Sequence, residues 1–170
     1  MKLNRRHLLL AALASLAACG EKSGPGLAPV EIDAATACEL DGMLLADYPG
    51  PKAQIFYGNQ AKPVFNCDTV EMFNTLLRPE QIKNIRAVYV QDMGLADWEQ
   101  PRGHWIDAKG AFYVLGSKRQ GSMGPTIASF KLEADAKKFA AEQGGRVLRF
   151  DEVKPEMVDL SGGALNDGGM

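Results

Sequence analysis

Apolar and polar positions along residues 53–91 form two short alternating or continuous runs, then a helical run, then a longer β-rich run. Residues 53–57 (AQIFY) and 63–65 (PVF) predict two short strands, with Gly58-Asn59 as the turn between them. Asp68-Thr69-Val70-Glu71 reads as a capping box: Asp68 accepts from the backbone N–H three residues on and Glu71 reaches back. The helix it opens carries Val70, Phe73 and Leu77 on one face and stops at Arg78-Pro79. A short connection at 81–84 leads to 85–91 (IRAVYVQ), a strand of β-branched and aromatic residues.

The same order recurs downstream. Residues 104–107 (HWID) and 111–115 (AFYVL) predict strands joined by the Ala108-Lys109-Gly110 turn, and 125–130 (PTIASF) predicts another. A helix over 132–143 follows, with Leu132, Ala136, Phe139 and Ala140 at the 3.6 period and Glu133/Lys137 as an i,i+4 ion pair. Gly144-Gly145 ends it, and 146–150 (RVLRF) is the closing strand. Two β-β-α-β units offset by roughly 60 residues result, spanning 37–95 and 96–153, with PVFNCDTVEMF matching PTIASFKLEADAKKF and Cys67 falling near Ser129. The expected class is α+β, two similar units packed together with helices covering small mixed or antiparallel sheets. Residues 154–170, rich in Gly, Asp and Asn, predict a fraying, disordered tail.

The N-terminal pattern is different in kind. Lys2, Arg5 and Arg6 precede an apolar run over 8–18 that is too short to span a bilayer as a mature helix. Leu16-Ala17-Ala18-Cys19 then reads as a lipobox, so that 1–19 is a lipoprotein signal peptide ending at the lipidated Cys19. The arginine pair fits twin-arginine export and ordinary n-region charge equally. Residues 20–36 are a flexible tether and lead-in. The expectation is a bacterial protein on the periplasmic side, held to the cell membrane or the outer membrane by acyl chains only. Without Lys2, Arg5 and Arg6 the 19 basic residues fall to 16 against 21 acidic ones, a net charge of −5 in place of −2. This balance argues against nucleic acid, which selects a basic surface, as a partner.

Charge aside, few groups are equipped for chemistry. With Cys19 acylated, Cys38 and Cys67 remain, and in an oxidising compartment they either pair or stay reduced because a metal holds a thiolate. His7 leaves with the signal segment, so His104 is the sole imidazole of the mature chain. No Gly-x-Ser-x-Gly, phosphate loop, HExxH or CxxC is present, and the expectation is that this is not an enzyme. Met72 lies inside the first helix and reads as core. Met43, Met93 and Met123 each border a glycine in a loop, where sulfur can be presented at the mouth of a site. The organising stretch is residues 37–49, in which Cys38 and Met43 flank the turn pair Asp41-Gly42. Thiolate and thioether together select copper(I).

The lipobox, then Cys38-x-x-x-Gly42-Met43 and Asp47-Tyr48-Pro49-Gly50-Pro51-Lys52, resembles the NosL family of copper-binding accessory lipoproteins of nitrous oxide reductase. The likeness continues in order through Phe65-x-Cys67-Asp68-Thr69, Asp92-Met93-Gly94, Trp98, the stretch from His104 to Ala108, Tyr113-Val114-x-Gly116 and the stretch from Met123 to Phe130. The resemblance implies a periplasmic Cu(I) metallochaperone that supplies the reductase maturation machinery, with a two-unit architecture. Its partners would be an ABC-type membrane complex with a periplasmic component, and nitrous oxide reductase as final acceptor. The implied ligands are Cys38, Met43 and Met123, with His104 as a nitrogen donor. One departure stands out: where many members of the family carry Cys-x-x-Cys-Gly-Met, Asp41 replaces the second Cys, and its hard oxygen suits copper(I) poorly. Cys67 is expected as a structural thiol near the core. The competing reading is a lipoprotein stapled by a Cys38–Cys67 disulfide and acting as a protein-binding module in an assembly complex. A thiol oxidoreductase is disfavoured by the 29-residue separation of the two cysteines.

Overall fold

The computed structural model describes residues 27–58, 60–78, 84–158 and 160. The signal segment with Cys19, the first part of the tether, most of the 81–84 connection and most of the tail lie outside the described residues. Strand β1 (Ala53–Tyr57) is the axis of the first unit and is buried along its whole length. It pairs antiparallel on one side with β2 (Val64–Asn66), in the register Ala53↔Asn66 and Ile55↔Val64. After helix α1 (Thr69–Leu76), strand β3 (Ile85–Gln91) returns to the other edge of β1, with Ala53↔Val90 and Ile55↔Val88.

Strand β4 (Trp105–Asp107) corrects the expected division of the chain. It does not open the second unit but extends the first sheet, pairing with β3 at Tyr89↔Asp107 and Gln91↔Trp105, so the order is β2-β1-β3-β4. The reason lies in the free edge of β3, whose unpaired backbone groups need a partner. Asp107 then redirects the chain by accepting from the N–H groups of Lys109 and Gly110 in a 3-10 turn over Ala108–Gly110.

The second unit therefore starts at β5 (Phe112–Leu115). A small hairpin follows, β6 (Gln120–Gly121) and β7 (Gly124–Pro125), then β8 (Ala128–Phe130), α2 (Glu133–Gln143) and β9 (Arg146–Arg149). The three-stranded sheet has the order β8-β5-β9, all antiparallel. β5, β8, α2 and β9 thus repeat β1, β2, α1 and β3, and the α+β duplication stands. The register shifts one detail. Asn66 faces Ala53 as Phe130 faces Phe112, so Cys67 corresponds to Lys131 rather than to Ser129.

A shared core joins the units. Ile55, Met72, Phe73 and Val90 pack with Tyr113, Ile127 and Leu148, and the Phe73 and Tyr113 rings meet edge-on at 4.9 Å. Hydroxyls close the seam: Thr69 Oγ1 donates to the Ile127 carbonyl and Ser129 Oγ to the Gln91 carbonyl, each at 2.6 Å. A second apolar cluster under α2 holds Met93, Trp98, Phe130 and Ala136.

Three further expectations shift. Leu132 caps α2 from outside and is 56% exposed, leaving Ala136 as the buried residue of that helix, while Glu133 and Lys137 do pair at 2.8 Å. The lead-in is docked: Gln54 holds both backbone groups of Val30, and Ile32 is buried. The start of the supposed tail is ordered, because a 3-10 turn over Pro155–Met157 delivers Val158 into the core. Among the described residues no helix is long and apolar enough to cross a membrane.

Candidate metal centre

The turn pair Asp41-Gly42 folds residues 37–44 into a tight loop. The Cys38 N–H donates to the Met43 carbonyl at 2.8 Å, the Gly42 N–H to the Cys38 carbonyl at 2.9 Å, and Ala37 bridges Leu44. Gly42 takes φ +76°, a conformation that side chains disfavour. Asp41 Oδ1 accepts from the Met43 N–H at 2.9 Å, so this residue shapes the turn that carries the motif. The Glu39 N–H donates to the Phe65 carbonyl, which lays the loop over the β2–α1 connection. Cys67 sits in that connection.

Side-chain donors converge there. One ligand atom each from Cys38, Asp41, Cys67 and Glu71 lie within 4.8 Å of one another; Asp41 is exposed and the other three are buried. Cys38 Sγ–H donates to Glu71 Oε2 at 3.2 Å, and the Cys67 N–H donates to the same oxygen at 3.0 Å. The expected capping box is therefore displaced. Asp68 Oδ1 accepts from Val70, two residues on, and Glu71 reaches past the N-cap to Cys67 and across to Cys38. A tertiary donor has outcompeted the local one, and Glu71 Oε1 remains buried with no partner among the described residues. Both cysteines are free, so the stapling disulfide is not formed.

The two thiols are inequivalent. A hydrogen bond from the Cys67 thiol lowers the Cys38 pKa below the ordinary thiol value, helped by the N–H groups of Cys67, Leu40 and Asp41, and burial opposes it. Donating that bond raises Cys67, as do burial and the Glu71 carboxylate. Cys38 is the thiol that ionises first, and thiolate is the form that binds metal.

Behind the thiols lies a buried cation. Lys52 is fully buried, and its Nζ donates to the Pro49 carbonyl at 2.8 Å and to Ser122 Oγ at 2.6 Å. Burial pulls its pKa down to about 8, against the attraction of Asp68, Cys67, Glu71 and Cys38. Asp68 is pushed up to about 6 by burial, against the Val70 N–H, the Thr126 hydroxyl and Lys52.

Of the residues singled out from sequence, Cys38 is central, and Met43 packs half-buried in one apolar cluster with Cys38, Cys67, Phe65 and Trp105. Met123 stands 41% exposed at the tip of the β6–β7 hairpin, tied to the centre through Ser122 Oγ, which donates to the Cys67 carbonyl at 2.6 Å. His104 is not drawn into the converging group: it is exposed, at φ +54°, and engages Asp92 through its own carbonyl. Met93, in the turn after β3, is packed into the core, only 9% exposed beside Trp98, and presents no sulfur at the site. Sequence reasoning took Glu71 only as a cap and left Lys52 without a role. For Glu71, the one sequence signal was an acidic residue four positions after a cysteine at a helix start.

Known proteins resemble this chain in sequence and in fold. The family model described as NosL matches residues 29–158. The chain is 41% identical over 158 residues to the copper-binding lipoprotein NosL of Stutzerimonas stutzeri, covering 91% of this chain and 82% of that protein. It is 39% identical to the copper-binding lipoprotein NosL of Achromobacter cycloclastes, covering 89% and 80%. The fold superposes on the crystal structure of the copper chaperone NosL from Shewanella denitrificans with a TM-score of 0.73 and 39% identity, over 78% of this chain and 99% of that one.

Proposed function

The chain belongs to the NosL family, and on that premise we propose that it is a periplasmic copper(I) metallochaperone for the maturation of nitrous oxide reductase. The observation that carries this reading is the placement of Cys38 Sγ beside Cys67 in an apolar cluster against which Met43 packs, with Met123 on the adjoining hairpin. Soft sulfur donors select Cu(I) over the harder divalent ions. Copper here is cargo. Cys38 supplies the anionic ligand, and Met43 and Met123 supply thioethers that need no deprotonation at any periplasmic pH. Exposure of Met123 and of the Asp41 turn leaves the metal open to attack by an incoming ligand, as transfer by ligand exchange requires. His104 is the least supported of the expected ligands.

Lipid anchoring at Cys19 would hold the chaperone at a membrane facing the periplasm, next to an ABC-type complex with a periplasmic component. Nitrous oxide reductase would be the final acceptor. The test is genetic and chemical. A denitrifying strain without this protein should accumulate copper-poor reductase; the wild-type chain should restore its copper content and Cys38→Ala should not. Full restoration by Cys38→Ala would remove the delivery role.

A further inference from the structure

The hairpin that bears Met123 is small, with two residues in each strand and the single register Gln120↔Pro125, Gly121↔Gly124. An isolated ribbon of that size does not hold its shape in water. Its tip is kept in place by the loop before β1. A Cβ on Gly50 would lie 2.7 Å from Gly121 Cα, so the two backbones touch where neither residue has a side chain. The Gly50 N–H donates to the Trp98 carbonyl, and the Trp98 indole donates to the Gln120 carbonyl, which pins the hairpin base.

The tip itself rests on Lys52. Its ammonium donates to Ser122 Oγ at 2.6 Å, and the single Ser122 hydroxyl proton goes to the Cys67 carbonyl at 2.6 Å in preference to the Pro49 carbonyl at 3.3 Å. A chain of two short hydrogen bonds thus runs from a buried charge to the backbone of the metal centre, and each bond polarises the next. The arrangement is costly, because Lys52 is fully buried and forms no ion pair with a carboxylate among the described residues. A methionine would fill the same space without that cost, so scaffolding alone does not account for a lysine here.

We propose that Lys52 is a positioning residue of the metal centre: acting through Ser122, it fixes the Met123 hairpin against the Cys67 carbonyl and so sets the reach of the thioether toward the thiols. The inference rests on the copper reading given above. Lys52 and Ser122 touch no metal; they decide whether Met123 can.

The test uses the full-length protein in mild detergent, as Lys52→Met, Ser122→Ala and Met123→Ala, singly and with Met123→Ala as the second change. The exposed Lys109→Met serves as control. Cu(I) affinity is read by competition with a chromophoric chelator, sulfur neighbours are counted by X-ray absorption at the copper edge, and amide exchange of residues 119–126 is followed without metal. Losing the hydrogen-bond chain should weaken Cu(I) binding about 3- to 10-fold in Lys52→Met and in Ser122→Ala. The same variants should remove one sulfur neighbour and speed hairpin exchange, with no further loss of affinity in the Met123→Ala background. If Lys52→Met does not fold, Ser122→Ala carries the same test. Equal losses with and without Met123, or unchanged affinity and exchange, would overturn the proposal. Faster exchange with unchanged affinity in Met123→Ala itself would instead show a real clasp serving no ligand, which removes the thioether from the copper reading and this inference with it.

Discussion

Cys38 Sγ and Glu71 Oε2 lie 3.2 Å apart although 33 positions separate them in the chain. The same oxygen accepts from the Cys67 N–H at 3.0 Å, so one carboxylate holds both cysteines in place from the first turn of α1. Glu71→Ala would leave the buried Cys67 N–H without its acceptor and cost about 1–3 kcal/mol in urea unfolding. Glu71→Gln keeps an acceptor oxygen at the same reach and should retain most of that stability. Equal losses in the two variants would mean that the contact to Cys67 contributes nothing.

What the residue pattern revealed and what it concealed divide along one line. Local features were readable: the strands around residues 53–57 and 85–91, the two helices and the Asp41-Gly42 turn all follow from spacing and turn chemistry over a few residues. Partners were not. Whether Trp105–Asp107 joins the first sheet or the second depends on which edge is free, and that is settled by topology. Glu71 satisfied the local spacing of a capping box, yet a buried thiol and a buried N–H offered better use of its oxygen. Lys52 was hidden for the opposite reason, since nothing in a sequence marks a lysine as buried. Cys38 and Cys67 were open to pairing as a disulfide, and only the contact of their two loops, through the Glu39 N–H and the Phe65 carbonyl, shows them side by side as free thiols.

The loop methionines separate by burial. Met93→Ala should open a cavity beside Trp98 and cost about 2–4 kcal/mol while leaving Cu(I) affinity intact. Met123→Ala, at an exposed tip, should do the reverse, with a small change in melting temperature and weaker copper retention. Paired thermal melts and chelator competition check both, and a matched loss of affinity in Met93→Ala would contradict the assignment.

Asp68 gives the fold a pH signature. Its pKa stands at about 6 in the folded chain against an ordinary 3.8, so between those values the native state binds more protons than the unfolded one. Stability should therefore fall as pH rises from about 4 to 6, by at most ~3 kcal/mol from this group. Asp68→Asn preserves an N-cap for α1 and should flatten that decline. Urea midpoints from pH 4 to 7 in both proteins measure the difference, and parallel curves would refute it.

Gly121 is required by space. A Cβ there would run into Asp68 Oδ2 and fall 2.8 Å from Thr126 Cβ, both buried. Gly121→Ala should destabilise the protein by about 1–3 kcal/mol, the usual cost of overpacking, and lower copper affinity by displacing the hairpin. An unchanged melting temperature would show that the hairpin shifts freely, against the packing described.

If Cys38 holds copper(I), the bound metal should shield that thiol. The most direct measurement adds one equivalent of Cu(I) anaerobically to the reduced full-length protein, removes loose metal, and follows alkylation of each cysteine by peptide mass. One copper should be retained per chain with Cys38 shielded from alkylation, and none should be retained in Cys38→Ala. Copper held equally well by Cys38→Ala, or Cys38 alkylated at the same rate with and without metal, would contradict a copper(I) site on Cys38.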